Sequence, residues 1–226
     1  MNRCFPFLFL LSCLPLCLHG QNASGSLNQN RSFYAGFAAV AYKGSLQSTY
    51  LRWTPSYHAG MLIEGKKLLS SSVGIGLGSY IAEDRNYRLP AKADPSLQPL
   101  AAIEGNFFTL SYELRFLLFR YHGLRIQFCQ GLGLFRFSVK DREGNQLSEK
   151  PRSRAAGETY SQNSFFFPSS LFLQYQFSNQ MALGIQAGWY NNSSAYLDNM
   201  KQLAQNETRD NLASVRFLLS IPLKSR

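Results

Sequence analysis

Residues 171–190 read LFLQYQFSNQMALGIQAGWY, two alternating runs separated by three polar residues. Leu171, Leu173, Tyr175 and Phe177 share one side, and Phe172, Gln174 and Gln176 the other. After Ser178, Asn179 and Gln180, the residues Met181, Leu183, Ile185, Ala187 and Trp189 oppose Ala182, Gly184, Gln186 and Gly188. A period of two marks strands, here joined by a three-residue turn. Alternation over about ten residues is enough for a tilted strand to cross a bilayer. The polar side carries Gln and Gly almost without charge, which suits a crowded lumen better than an open solvent face. The stretch reads as one hairpin of an outer-membrane barrel.

The same period recurs along the chain. Residues 33–42, FYAGFAAVAY, form a first strand whose two faces are too similar for its phase to be assigned. Residues 57–65 form a second, with Ala59, Met61 and Ile63 opposed to Gly60, Leu62 and Glu64. Residues 71–82 set Val73, Ile75, Leu77 and Ile81 against Ser72, Gly74, Gly76, Gly78 and Tyr80. The VGIGLG run lacks the spacing and the following amphipathic helix of a dinucleotide loop. It reads instead as a bare stripe that leaves lumen volume for larger side chains.

Residues 107–118 decide the phase, because Phe108, Leu110, Tyr112, Leu114, Phe116 and Leu118 oppose Thr109, Ser111, Glu113 and Arg115. A lipid-facing Arg near the midplane costs about 2–4 kcal/mol, so the odd residues point inward. Residues 124–139 keep odd residues inward, with Arg125, Gln127, Cys129, Gly131 and Gly133. For both strands to keep phase, the turn near Tyr121 and His122 should hold an odd number of residues. Beyond Leu134 the apolar set switches to Phe135, Phe137 and Val139, which predicts a bulge or the strand's exit from the membrane. Residues 213–223 complete eight strands, with Ser214, Arg216 and Ser220 inward.

The expected fold is therefore all-β, an eight-stranded antiparallel up-and-down transmembrane β-barrel with a cleaved N-terminal signal peptide. The opening MNRCFPFLFLLSCLPLCLHG gives Arg3, an apolar run and a cleavage site after Gly20. The domain reading is signal peptide 1–20, flexible leader 21–31 and barrel 32–226. A lipoprotein signal ending at Cys13 is a second reading, weakened because the apolar run continues past Cys13. Cleavage leaves Cys129 alone, so no intramolecular disulfide is expected. The net charge of +10 is compatible with anionic lipid or lipopolysaccharide. Export and scattered bases argue against nucleic acid.

Connections 43–56, 83–106, 140–162 and 191–210 are long, whereas those near 66–70, 119–123 and 178–180 are short. Short periplasmic turns and long external loops produce this alternation.

With these strands in place, FYAGFAAVAY, YHAGMLIEGKKL, SVGIGLGSY, FFTLSYELRFLLF and LFLQYQFSNQMALGIQAGWYNNS together resemble the outer membrane protein beta-barrel domain family. These are the porin-like, PorT-like small barrels of Bacteroidetes-type bacteria. The resemblance spans residue 32 to the C-terminus and implies an eight-stranded barrel of mostly unassigned role. Such barrels commonly end on an aromatic strand residue, whereas this chain ends IPLKSR.

Glu64, Glu113, Arg115, Arg125 and Arg216 are expected in the lumen as a charge network, since interior charges persist when paired. Arg142, Lys150, Arg152 and Arg154 are candidate external contacts for phosphates. No catalytic residue, metal set or cofactor is expected. The alternative is a lipid A-modifying enzyme using Ser56 and His58, for which no orienting acid is fixed by sequence. Expected partners are outer-membrane lipid, lipopolysaccharide and the barrel assembly machinery, with the chain a monomer in the cell outer membrane.

The loop lengths predict topology. A tag inserted near Gly144 should be labelled on intact cells, and one near Asn179 only after the outer membrane is breached. Reversed labelling would sink this orientation.

Overall fold

A strand in hydrocarbon must have every backbone group bonded, and only closure of the sheet achieves this without edges. In the computed structural model of the protein, eight antiparallel strands close into a barrel in sequence order, β8 returning to β1. The strands are β1 (Arg31–Lys43), β2 (Trp53–Ile63), β3 (Leu69–Glu83), β4 (Ala102–Tyr121), β5 (Leu124–Asp141), β6 (Asn163–Gln176), β7 (Ala182–Asn192) and β8 (Asn211–Leu223). The structure describes residues 31–44, 46–65, 68–83, 102–149, 161–193, 197 and 210–223. The expected signal peptide and the expected leader up to residue 30, with most of the long loops, lie outside the described residues.

The closing seam shows the phase that sequence left open in β1. It runs from Arg31↔Leu223 to Lys43↔Asn211 without a shift. Phe33 and Phe37 face outward, and Tyr34, Ala38, Val40 and Tyr42 face inward. Around the barrel the outward side chains include Val73, Ile75, Leu77, Leu110, Leu132, Leu171, Ile185 and Phe217, all exposed. The inward ones include Glu113, Arg115 and Arg216, all buried. An apolar exterior around charged interior positions belongs to a barrel set in lipid, and this architecture is that of the cell outer membrane.

The opening hairpin closes as read. Phe177 N donates to Met181 O at 2.9 Å, and Gln180 takes the left-handed φ of 66° that a three-residue link requires. The β4–β5 hairpin differs. Its turn holds two residues, His122 (φ 42°) and Gly123 (φ 84°), both left-handed as a two-residue hairpin turn demands. Phase is restored by a register shift between Leu117 and Phe119 instead of by an odd turn. The bulge therefore adds the residue that the turn does not.

Of the two readings of the switch after Leu134, the bulge is corrected and the strand's exit from the membrane fits. β5 keeps its phase to Asp141, with Phe135, Phe137 and Val139 buried inside and Arg136 exposed outside. β4 behaves alike, with Ile103 and Phe107 inside and Glu104 and Asn106 outside. At 20 and 18 residues, β4 and β5 exceed the roughly 9–11 residues that cross a bilayer. The excess projects at the long-loop end, where water replaces lipid outside and the apolar residues move inside.

Candidate functional site: the barrel lumen

From the long-loop end downward the interior is filled in layers. The uppermost is aromatic: Tyr42 stacks on Tyr80 at 5.5 Å, Phe107 on Phe135 at 5.2 Å, and Phe166 meets Tyr190 edge-on at 5.1 Å. Glycines make room for it, because a Cβ on Gly105 would overlap the Tyr80 ring and one on Gly133 the Phe166 ring. Leu46, Leu147 and Leu197, from three of the long connections, join the same apolar cluster. Asp210 ties the mouth together, accepting from Tyr42 Oη and from Leu197 N, both at 2.7 Å. Tyr80 Oη in turn donates to Leu197 O at 2.7 Å.

Below this layer Glu113 and Arg216 form a buried ion pair at 3.2 Å. Gln186 Nε2 donates to Glu113 Oε2 at 2.9 Å and to Ser170 Oγ at 2.7 Å. The Arg216 guanidinium lies 5.1 Å from the Tyr190 ring centre. Next comes Arg115, whose Nε donates to Ser72 Oγ at 3.1 Å. Its guanidinium lies 4.8 Å from the centre of Phe172 and 5.7 Å from that of Tyr34, an attraction to ring faces in place of a carboxylate. Tyr34 has space because Gly60 and Gly74 carry no Cβ. Cys129 is buried with Tyr34, Leu62, Phe172 and Leu218 in a second apolar layer. At the short-turn mouth Arg125 pairs with Glu64 at 2.8 Å and donates to Gln176 Oε1 at 2.6 Å.

The five charged residues expected inside therefore occupy three separate places. Glu113 and Arg216 share the middle, Glu64 and Arg125 the short-turn mouth, and Arg115 sits between two rings. Sequence reading missed Tyr34, Tyr42, Tyr190 and Asp210 as parts of this interior. The apolar character of both faces of strand one hid the first two, and Asp210 stands in a stretch read as loop.

Ser56 and His58 both point inward from β2 and are buried, with Ser56 Oγ 3.1 Å from His58 Nε2. The ring packs on Gly76, where a Cβ would press against it. Among the described residues no carboxylate hydrogen-bonds to His58, and no group of three or more potential metal ligands occurs. Of the external cations, Arg142 is exposed in a turn whose carboxylate, Asp141, accepts from Glu143 N and Asn145 N. Lys150, Arg152 and Arg154 lie outside the described residues.

No protein-family model matches the chain, and no curated protein does. Among solved structures, Neisserial surface protein A superposes with a TM-score of 0.54 at 12% identity, over 84% of this chain and 96% of that one. Ail, the attachment invasion locus protein of Yersinia pestis, gives a TM-score of 0.49 at 10% identity, over 87% and 100%. The outer membrane enzyme PagL gives 0.38 at 15% identity, over 84% and 99%, too loose a match to carry an argument. The fold is that of an eight-stranded outer-membrane barrel.

The buried pair sets a stability test. Removing one partner leaves an uncompensated interior charge, at a cost of about 3–5 kcal/mol. Glu113→Ala should lower unfolding stability in urea by that order. The double variant Glu113→Ala, Arg216→Met should recover most of it, and Glu64→Ala, at the wetter mouth, should cost far less.

Proposed function

We propose that the protein is a non-enzymatic outer-membrane barrel whose interior is a structural core and whose role lies in its long loops and outer wall. The observation that carries this reading is the succession of interior layers, from the aromatic plug through Glu113–Arg216 and Arg115 to Arg125–Glu64. An eight-stranded barrel is just wide enough for side chains to fill. The finer kinship with PorT-like small barrels of Bacteroidetes-type bacteria is supported by the FYAGFAAVAY and FFTLSYELRFLLF patterns. In this reading the chain inserts as a monomer through the barrel assembly machinery, and Arg142, Lys150, Arg152 and Arg154 meet phosphates of lipopolysaccharide.

The contact between Ser56 and His58 favours a second reading, a lipid A-modifying enzyme. Against it, both side chains point into the filled lumen, and no acid orients the ring among the described residues.

Two measurements separate these readings. Purified protein in planar bilayers should show no steady conductance, and a stable pore altered by Glu113→Ala would contradict a filled core. Mass spectrometry of lipid A from cells carrying Ser56→Ala, His58→Ala protein should match the parent strain; an acylation change dependent on His58 would establish the enzyme.

A further inference from the structure

The cations at the long-loop rim are not equivalent. On the outside of the barrel Arg52 pairs with Glu83, and Lys43 lies 5.7 Å from the centre of the Tyr50 ring. On β5 the outward sequence runs Leu134, Arg136, Ser138, Lys140 and then Arg142 in the turn. Arg136 is exposed, two residues from Leu134 in the apolar band. Its neighbours across the ladders are Phe108 on β4 and Asn163, exposed, on β6. Lys140 stands opposite Glu104, yet no ion pair joins them among the described residues. Two cations without an ion-pair partner among the described residues thus lie on the wall itself, the exposed Arg136 directly above hydrocarbon-facing Leu132, Leu134 and Phe165 and the half-buried Lys140 higher on the same strand.

We propose that the outer face of β5 seats the phosphate group of a membrane lipid, held by Arg136 and Lys140 with Asn163 beside them. The lipid's acyl chains lie along Leu132, Leu134 and Phe165. This deepens the reading of lipopolysaccharide contact above and rests on it, but moves the anchoring charge from the loops to the wall. The geometry favours a lipid over free phosphate, because an anion reaching Arg136 arrives beside apolar side chains that only an acylated molecule would cover. Arginine supplies planar paired donors and lysine a point charge, a combination suited to a phosphate monoester. Glu104 weakens the site at Lys140 and leaves Arg136 as the stronger contact.

The full chain is refolded in detergent, its barrel verified by heat-modifiable gel mobility, and titrated with diphosphoryl lipid A by native mass spectrometry. Loss of charge-assisted hydrogen bonds predicts that Arg136→Ala, Lys140→Ala protein binds about tenfold or more weakly. Dephosphorylated lipid A should lose as much on the parent, and Arg136→Lys, Lys140→Arg protein should retain most binding. Wall-variant affinity equal to the parent overturns the proposal. So does displacement of the lipid by equimolar inorganic phosphate. The variant Arg142→Ala, Lys150→Ala, Arg152→Ala, Arg154→Ala separates the two readings. Loss confined to that loop variant sinks the wall seat and keeps the loop reading, whereas loss in neither variant sinks both.

Discussion

The structure depends on the requirement that no backbone polar group be left unbonded in hydrocarbon. An orphaned group there costs several kilocalories per mole, so a sheet in lipid has no tolerable edge. β8 must return to β1, and it does so over the full length of both strands in one register. Closure then binds all eight strands to a common phase, since a slip by one residue would turn a strand inside out. The bulge between Leu117 and Phe119 follows from that constraint. The β4–β5 turn has the compact two-residue form, which alone would put the strands out of phase, and one extra residue in β4 corrects it.

Phase and hydrophobicity are separate properties of these strands, and sequence reading joined them. While lipid lies outside, the two agree: apolar residues point out and Glu113, Arg115 and Gln186 point in. Above the membrane water lies outside, and burial demands the reverse. Phe135, Phe137 and Val139 are apolar on the side where Arg125 and Gln127 were polar, although the strand has not shifted. This explains why the central alternation, the strand count and the hairpin at residues 178–180 were legible. The extension of β4 toward its long loop was not, because there the exterior is polar, as at Glu104 and Asn106, while Ile103 turns inside. The phase of β1 was hidden for a related reason: its inward Tyr34 and Tyr42 are amphipathic residues in an otherwise apolar run.

The interior charges follow from the same boundary. Each sits where lipid prevents it from facing outward, and its partner depends on how wet its level is. At the short-turn mouth the side chains of Arg125 and Glu64 keep 10% and 18% of their exposure, against 6% and 3% for Arg216 and Glu113, so their attraction is the more screened of the two pairs. In the middle, Glu113 and Arg216 are nearly sealed, and the desolvation cost makes pairing obligatory, with Gln186 Nε2 donating a further hydrogen bond to Glu113. Charge type was readable from sequence, but partner choice was not. Glu113 is joined to a residue more than a hundred positions away, a distance set by barrel curvature and not by local spacing.

β6 shows how far the chain goes to keep the wall bonded. Pro168, a residue that by itself argues against a continuous strand, has no N–H to give. The β5–β6 ladder accordingly lacks its pairs between Gln130↔Ser169 and Gly133↔Phe166, although the register is the same on both sides of the gap. The outward side chain of Gln130 fills in: its Nε2 donates to Pro168 O at 3.1 Å, and its Oε1 accepts from Ser169 Oγ at 2.7 Å. On the other flank Asn191 Nδ2 donates to Phe167 O at 3.0 Å. A glutamine between Phe128 and Leu132 on an apolar exterior is costly unless both ends of its amide are bonded, and here they are. The polar residues on this part of the wall therefore act as local replacements for ladder hydrogen bonds. They need no separate function to account for their position, which distinguishes them from Arg136 and Lys140 higher on β5, whose charges have no such partner among the described residues.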